Sequence, residues 1–141
     1  MKRLLITISF LLSLMSIKAQ SYQVNQLIGG KWICIKADCD TIYMEFTAKY
    51  AKHEHITFDY STGVGSQMYY LSPTIPAKFD FTKVGTNSSG KYIVLKGSSD
   101  NASAIEIKAL SKDSLTLYED LNVADEAYRE MFCYERYKRI K

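Results

Sequence analysis

The chain reads as a single all-β domain, an antiparallel up-and-down β-barrel of eight to nine strands with a short helix before the last. Three observations predict this. Short runs alternate apolar and polar residues with period two. Polar turns, several of them glycine-bearing, separate these runs every eight to fourteen residues or so. The links are short, so strands adjacent in sequence become neighbours in space. A meander of that many strands does best by closing on itself, which removes its exposed edges.

The first segment belongs to targeting rather than to the fold. Lys2 and Arg3 precede an apolar run from Leu4 to Ile17, and Ile17-Lys18-Ala19 offers a small residue for cleavage before Gln20. This is the order of a secretory signal peptide over 1–19, and the run is too short for a comfortable membrane span. The barrel domain is then 20–141, exported to the periplasm or the extracellular space, with no membrane span once the signal is removed. The whole chain has 18 basic and 15 acidic residues. Loss of Lys2, Arg3 and Lys18 leaves fifteen of each, so the domain carries no basic footprint for nucleic acid.

The strands follow in order. Trp32 and Cys34 alternate with Ile33 and Ile35, and Ile42, Met44 and Phe46 alternate with Tyr43, Glu45 and Thr47. Ile56, Phe58 and Tyr60 alternate with His55, Thr57 and Asp59, which places His53 and His55 on a solvated face. Phe79 and Phe81 alternate with Lys78, Asp80 and Thr82 and read as a further strand. Ile105 and Ile107, then Leu115 and Leu117 around the turn Ser111-Lys112-Asp113, form a late hairpin. Gln67 to Leu71 and Tyr92 to Lys96 alternate less cleanly, and Glu130 to Lys138 closes the set. Between the last two strands, Asn122 is placed to cap a helix through Ala124 and Ala127.

Three stretches carry a resemblance. Leu27-Ile28-Gly29-Gly30-Lys31-Trp32 resembles the Gly-x-Trp opening of lipocalins. The run Ile107 to Leu117 resembles their late hairpin, and Tyr134-Glu135-Arg136-Tyr137 resembles their closing strand. Together they are similar to lipocalin-like secreted proteins of Bacteroidetes-type bacteria, a calycin-type barrel. The resemblance implies that a basic residue of the closing strand packs over the opening tryptophan. Gly30 lets the chain bend into the first strand. Trp32 plugs one end, with its indole N–H in need of a polar partner. Arg136 lies over the ring, or Arg139 does if the last strand is shifted.

The same resemblance implies a pocket for a small hydrophobic ligand in the barrel interior. Met44, Phe46, Phe58, Tyr70, Phe79, Phe81, Tyr92 and Tyr134 are the candidate lining residues. Ile56, Ile105, Ile107, Leu115, Leu117 and Phe132 are further inward candidates. An interior of about eight strands is either filled by side chains or holds one small molecule. The second reading is a filled barrel whose loops bind another envelope protein.

The three cysteines allow one disulfide in an oxidising compartment. If Arg136 faces Trp32, Cys133 faces outward and cannot bridge the inward Cys34 without a bulge. Cys39 has the outward parity, so Cys39–Cys133 is the favoured pair, beside the alternative that all three stay reduced. No catalytic constellation, cofactor motif or metal-ligand set stands out. His53 and His55 lack a marked third ligand, and no glycine-rich phosphate loop leads from a strand into a helix. The chain is therefore expected to bind rather than to catalyse.

Overall fold

A computed structural model describes residues 20–35, 40–57 and 59–140. Its main feature is a closed barrel of eight antiparallel strands. In chain order these are β2 (Lys31–Ile35), β3 (Thr41–Phe46), β4 (Tyr50–Ile56), β5 (Thr62–Ser72), β7 (Tyr92–Lys96), β8 (Ala102–Leu110), β9 (Ser114–Tyr118) and β10 (Tyr134–Ile140). Pairing of β10 with β2 completes the ring. The order is sequential around the wall, even across the two long links, 73–91 and 119–133. Two further strands of two residues each, β1 (Tyr22–Gln23) and β6 (Ser89–Gly90), pair beneath it.

One end is sealed. The turn of helix α1 (Val24–Leu27) lies across it, and its Gln26 side chain accepts a 2.7 Å hydrogen bond from the Gln23 N–H. Leu27 and Trp32 have no solvent exposure, and Trp32 Nε1 donates to the Leu27 carbonyl at 3.1 Å. The buried indole thus meets its polar requirement inside the plug itself. Tyr69, Leu71, Ile107, Leu115, Leu117 and Tyr137 fill the barrel above it. Burying each such apolar side chain is worth roughly 1.5–3 kcal/mol.

The closing basic residue is Arg139, not Arg136. In the β10–β2 register Arg139 stands opposite Trp32, and its guanidinium lies 4.2 Å from the ring centroid. Its Nη2 donates to the Gln26 carbonyl at 2.6 Å, so the cation also serves the carbonyl end of α1. Gly30 leaves room for this contact: a Cβ there would come 3.2 Å from Arg139 Cγ, and the backbone holds φ at +150°. Arg136 instead faces outward opposite Thr116 and pairs with Glu130. The parity of β10 is therefore shifted by one residue from the sequence expectation, and Tyr137 rather than Arg136 enters the core.

That shift also removes the basis of the cysteine argument. Cys133 is buried, not outward, and Cys34 is buried on the inner face of β2. Cys39 lies outside the described residues, as does Phe58.

The expected strand around Phe79 and Phe81 is a covering loop. Asp80 caps a 3-10 turn, Phe81–Lys83, by accepting from the Thr82 N–H at 3.0 Å. The loop runs over the outer face of β5 and β7, where Phe79 buries itself against Tyr70 and Val94 in a second small core. A loop that shields two buried outward-facing side chains must itself be apolar, and that need imitates strand alternation. The loop then returns to the sealed end, where Ser88 Oγ accepts from the Leu71 N–H at 2.9 Å.

The other end carries the loops 57–61, 97–101 and 119–133. The last contains helix α2 (Glu126–Phe132), capped by Asp125 rather than by Asn122. Asp125 Oδ1 accepts from the Ala127 and Tyr128 N–H groups at 2.9 and 3.2 Å. Asn122 sits outside the helix with φ of 56°.

Candidate functional site

The interior is filled at the sealed end and hollow further up. A cavity of about 120 Å³ is lined by Met44 and Phe46 of β3, Ala51, Lys52 and His53 of β4, Gln67 of β5, Ile93 and Leu95 of β7, Ile105 of β8 and Leu117 of β9. Cross-strand partners share a sheet face, so the register shows how these residues converge. Phe46 stands opposite Ala51 and Met44 opposite His53, which turns Ala51 and His53 inward with the β3 hydrophobes. Ala51 in turn faces Gln67, and His53 faces Gly65. Ile93 opposes Ile105 across β7 and β8.

The cavity exists because small or polar residues occupy inner positions on β4 and β5. Ala51, Gly63 and Gly65 stand where the other strands place Phe, Ile or Leu. The His53 imidazole lies over Gly65, where a Cβ would come 2.1 Å from its Cε1. Gly65 is thus needed for its lack of a side chain rather than for its backbone freedom. Lys52, His53 and Gln67 give the otherwise apolar wall a polar edge, with Gln67 Nε2 donating to the Lys96 carbonyl at 3.2 Å. Beneath the cavity, Phe46 and Tyr69 meet edge to face with centroids 5.4 Å apart. The Tyr69 hydroxyl donates to the Thr47 carbonyl at 2.9 Å, and burial raises its pKa above the ordinary range.

A second polar pair lies on the inner face of β10. Glu135 stands opposite the cavity residue Leu117, and its Oε2 accepts from the Tyr137 hydroxyl at 2.5 Å. Burial, reinforced by the neighbouring Glu135 carboxylate, pushes the Tyr137 hydroxyl far above its usual pKa.

No family model, curated protein or solved structure matches this chain. What can be said of the site therefore rests on its own geometry.

The sequence-based candidates divide sharply. Met44 and Phe46 line the cavity, together with Ile105 and Leu117 from the wider inward set. Tyr70 and Phe79 are buried, but outside the barrel, in the second core. Tyr92 shares the outer face with Ser72 and Glu106. Phe81 is exposed, and Tyr134 packs against Tyr118 on the outer wall with centroids 4.8 Å apart. Ile56 opposes Thr41 on the outer face, and Phe132 lies exposed on α2.

His53 and His55, expected on the outer, solvated face, lie on the inner face of β4, where His53 nevertheless stays exposed to solvent. Reading β4 from Ile56 and Phe58 assigns the opposite parity, because Thr57 already belongs to the turn. The signal that could have corrected this is cross-strand: once Met44 and Phe46 are inward, residues directly opposite must follow. His55 meets Asp40 at 2.9 Å. Among the described residues no group of three His, Cys, Asp or Glu side chains is placed to hold a metal ion. Among them, too, no helix is long and apolar enough to cross a membrane.

Proposed function

We propose that this protein is an exported, lipocalin-like carrier that holds a small apolar molecule within its barrel. The observation that carries this reading is the 120 Å³ cavity walled by Met44, Phe46, Ile93, Leu95, Ile105 and Leu117 above a solid plug. Apolar cavities of about 150 Å³ hold a benzene-sized guest, so the occupant is a compact molecule of roughly six to eight non-hydrogen atoms rather than a whole lipid. His53 and Gln67 supply hydrogen-bonding capacity on one side, which suits a guest with one polar end. Export is supported by the basic start and apolar run of 1–19. The protein would act by binding alone, with no chemical step.

Toluene and phenol titrations followed by methyl NMR test this reading. Saturable shifts are expected at Ile93, Leu95, Ile105 and Leu117, with phenol also moving His53. In Ile105→Trp the indole fills the cavity, and the shifts at the remaining three residues should vanish. Absence of saturable shifts in the unmodified protein would overturn the proposal.

A further inference from the structure

The loop end of the barrel carries an unusual combination of apolar exposure and negative charge. Helix α2 buries none of its residues, and Tyr128, Met131 and Phe132 are each more than half exposed. Tyr128 and Phe132, one turn apart, stack with an interplanar angle of 3°. Leu121 beside the helix is 49% exposed, and Tyr60 in the β4–β5 turn, across the same rim from α2, is 87% exposed. A seven-residue helix is marginal without tertiary packing, and this one turns its large apolar side chains to solvent.

Tyr60 is presented by a tightly bonded turn. Asp59 Oδ1 accepts from the Ser61 N–H at 3.1 Å and from the Thr57 and Ser61 hydroxyls at 2.5 and 2.7 Å. These bonds lower the Asp59 pKa to about 2, so the carboxylate stays charged while it fixes Tyr60 at φ of 63°.

Charge decides what such a surface fits. The loops 57–61, 97–101 and 119–133 contain Asp59, Asp100 and five further carboxylates, against Arg129 as their one basic residue. Asp100 pairs with Lys96 and Glu130 with Arg136 at the loop margins, and the remaining carboxylates leave this end acidic. Arg129 is itself turned inward on its loop, donating from Nη2 to the Val123 carbonyl at 2.9 Å. A second copy docked through the same face would bring like charges together, and an anionic bilayer would be repelled as well.

We propose that this end of the barrel, anchored on α2 and extending across the rim towards Tyr60, docks a basic segment of another protein that carries apolar side chains. The apolar side chains would cover Tyr128, Met131 and Phe132, while lysines or arginines meet the surrounding carboxylates. This role uses surface residues only and is independent of whether the lumen holds a guest.

The test uses protein purified from cells expressing the full chain. The probes are an amphipathic helical peptide with lysines on its polar face and leucine and tryptophan on the other, its glutamate counterpart, and vesicles of phosphatidylglycerol and phosphatidylethanolamine. The lysine peptide is expected to bind, to shift amides in 57–61 and 119–133, and to weaken as salt rises. Met131→Ser with Phe132→Ser, and separately Asp120→Lys with Glu126→Lys, should each lower its affinity at least tenfold. Saturating toluene should leave its binding unchanged, which separates this face from the lumen. The proposal is overturned by no binding up to about 1 mM, by equal binding of the glutamate peptide, or by insensitivity to both variant pairs. Preferential binding of the vesicles, or dimerisation through this face, also overturns it.

Discussion

The Arg139 guanidinium lies 4.2 Å from the centroid of the Trp32 ring while its Nη2 holds the Gln26 carbonyl. One side chain from the last strand therefore fixes both the plug residue of the first strand and the helix turn beneath it. Loss of a cation–π contact costs about 0.5–2 kcal/mol, and loss of a charged hydrogen bond about 1.5–3 kcal/mol. Arg139→Ala should lower the unfolding free energy in urea by about 2 kcal/mol or more. Arg136→Ala breaks an exposed pair with Glu130 and an exposed contact over the Tyr134 ring, and should stay within about 1 kcal/mol. Equal effects of the two would show that the closing strand is not registered as described.

Gly90 in the small β1–β6 sheet and Gly65 in the barrel wall should respond to a methyl group very differently. At Gly90 a Cβ would fall 1.9 Å from the Ser72 carbonyl carbon, with φ at +158°. Backbone cannot swing aside, so Gly90→Ala should cost about 3 kcal/mol or more. At Gly65 the obstacle is the His53 imidazole, a side-chain end exposed to solvent that can rotate away. Gly65→Ala should change stability by less than about 1 kcal/mol yet alter toluene affinity, because the imidazole leaves the cavity edge. A thermal melt of Gly65→Ala as depressed as that of Gly90→Ala would refute this distinction.

Alkaline pH should loosen the barrel through Tyr137. Its folded pKa lies above the ordinary tyrosine value of about 10 because burial and Glu135 disfavour the phenolate. Folding then favours the protonated form, so this contribution is complete below pH ~10 and declines as pH rises beyond it. Melting temperatures between pH 9 and 11.5 should fall less steeply in Tyr137→Phe than in the unmodified protein. Tyr69, Tyr22 and Tyr118, whose pKa values burial also raises, remain in both and contribute to the residual slope. Identical slopes would remove Tyr137 from the account.

The architecture was legible in the sequence because β2, β3, β8 and β9 each show one apolar face. Trp32 and Cys34, Ile105 and Ile107, and Leu115 and Leu117 all face inward as the alternation suggests. The bulge between Ile107 and Ala109 was not visible, although it lets Leu110 join the inner face opposite Leu115. The site was less legible, for two physical reasons. Phe79 alternates like a strand because a loop covering Tyr70 must be apolar. Tyr134 to Ile140 offers Arg136, Lys138 and Arg139 in turn, and only pairing with β2 selects which one reaches Trp32. The β4 and β5 part of the cavity wall, from Ala51 to Gln67, is visible only through its partners across the sheet.

The unequal lengths of β5 and β7 have a consequence for traffic. From Thr62 to Met68, β5 is paired only with β4, and its contact with β7 begins at Tyr69. The rim is therefore cut low on the β7 side, beside Gly65 and Gln67, where the Gln67 side chain rather than a backbone ladder reaches the last β7 carbonyl at Lys96. A molecule entering over this low side would meet His53 and Gln67 first and the apolar wall only below them.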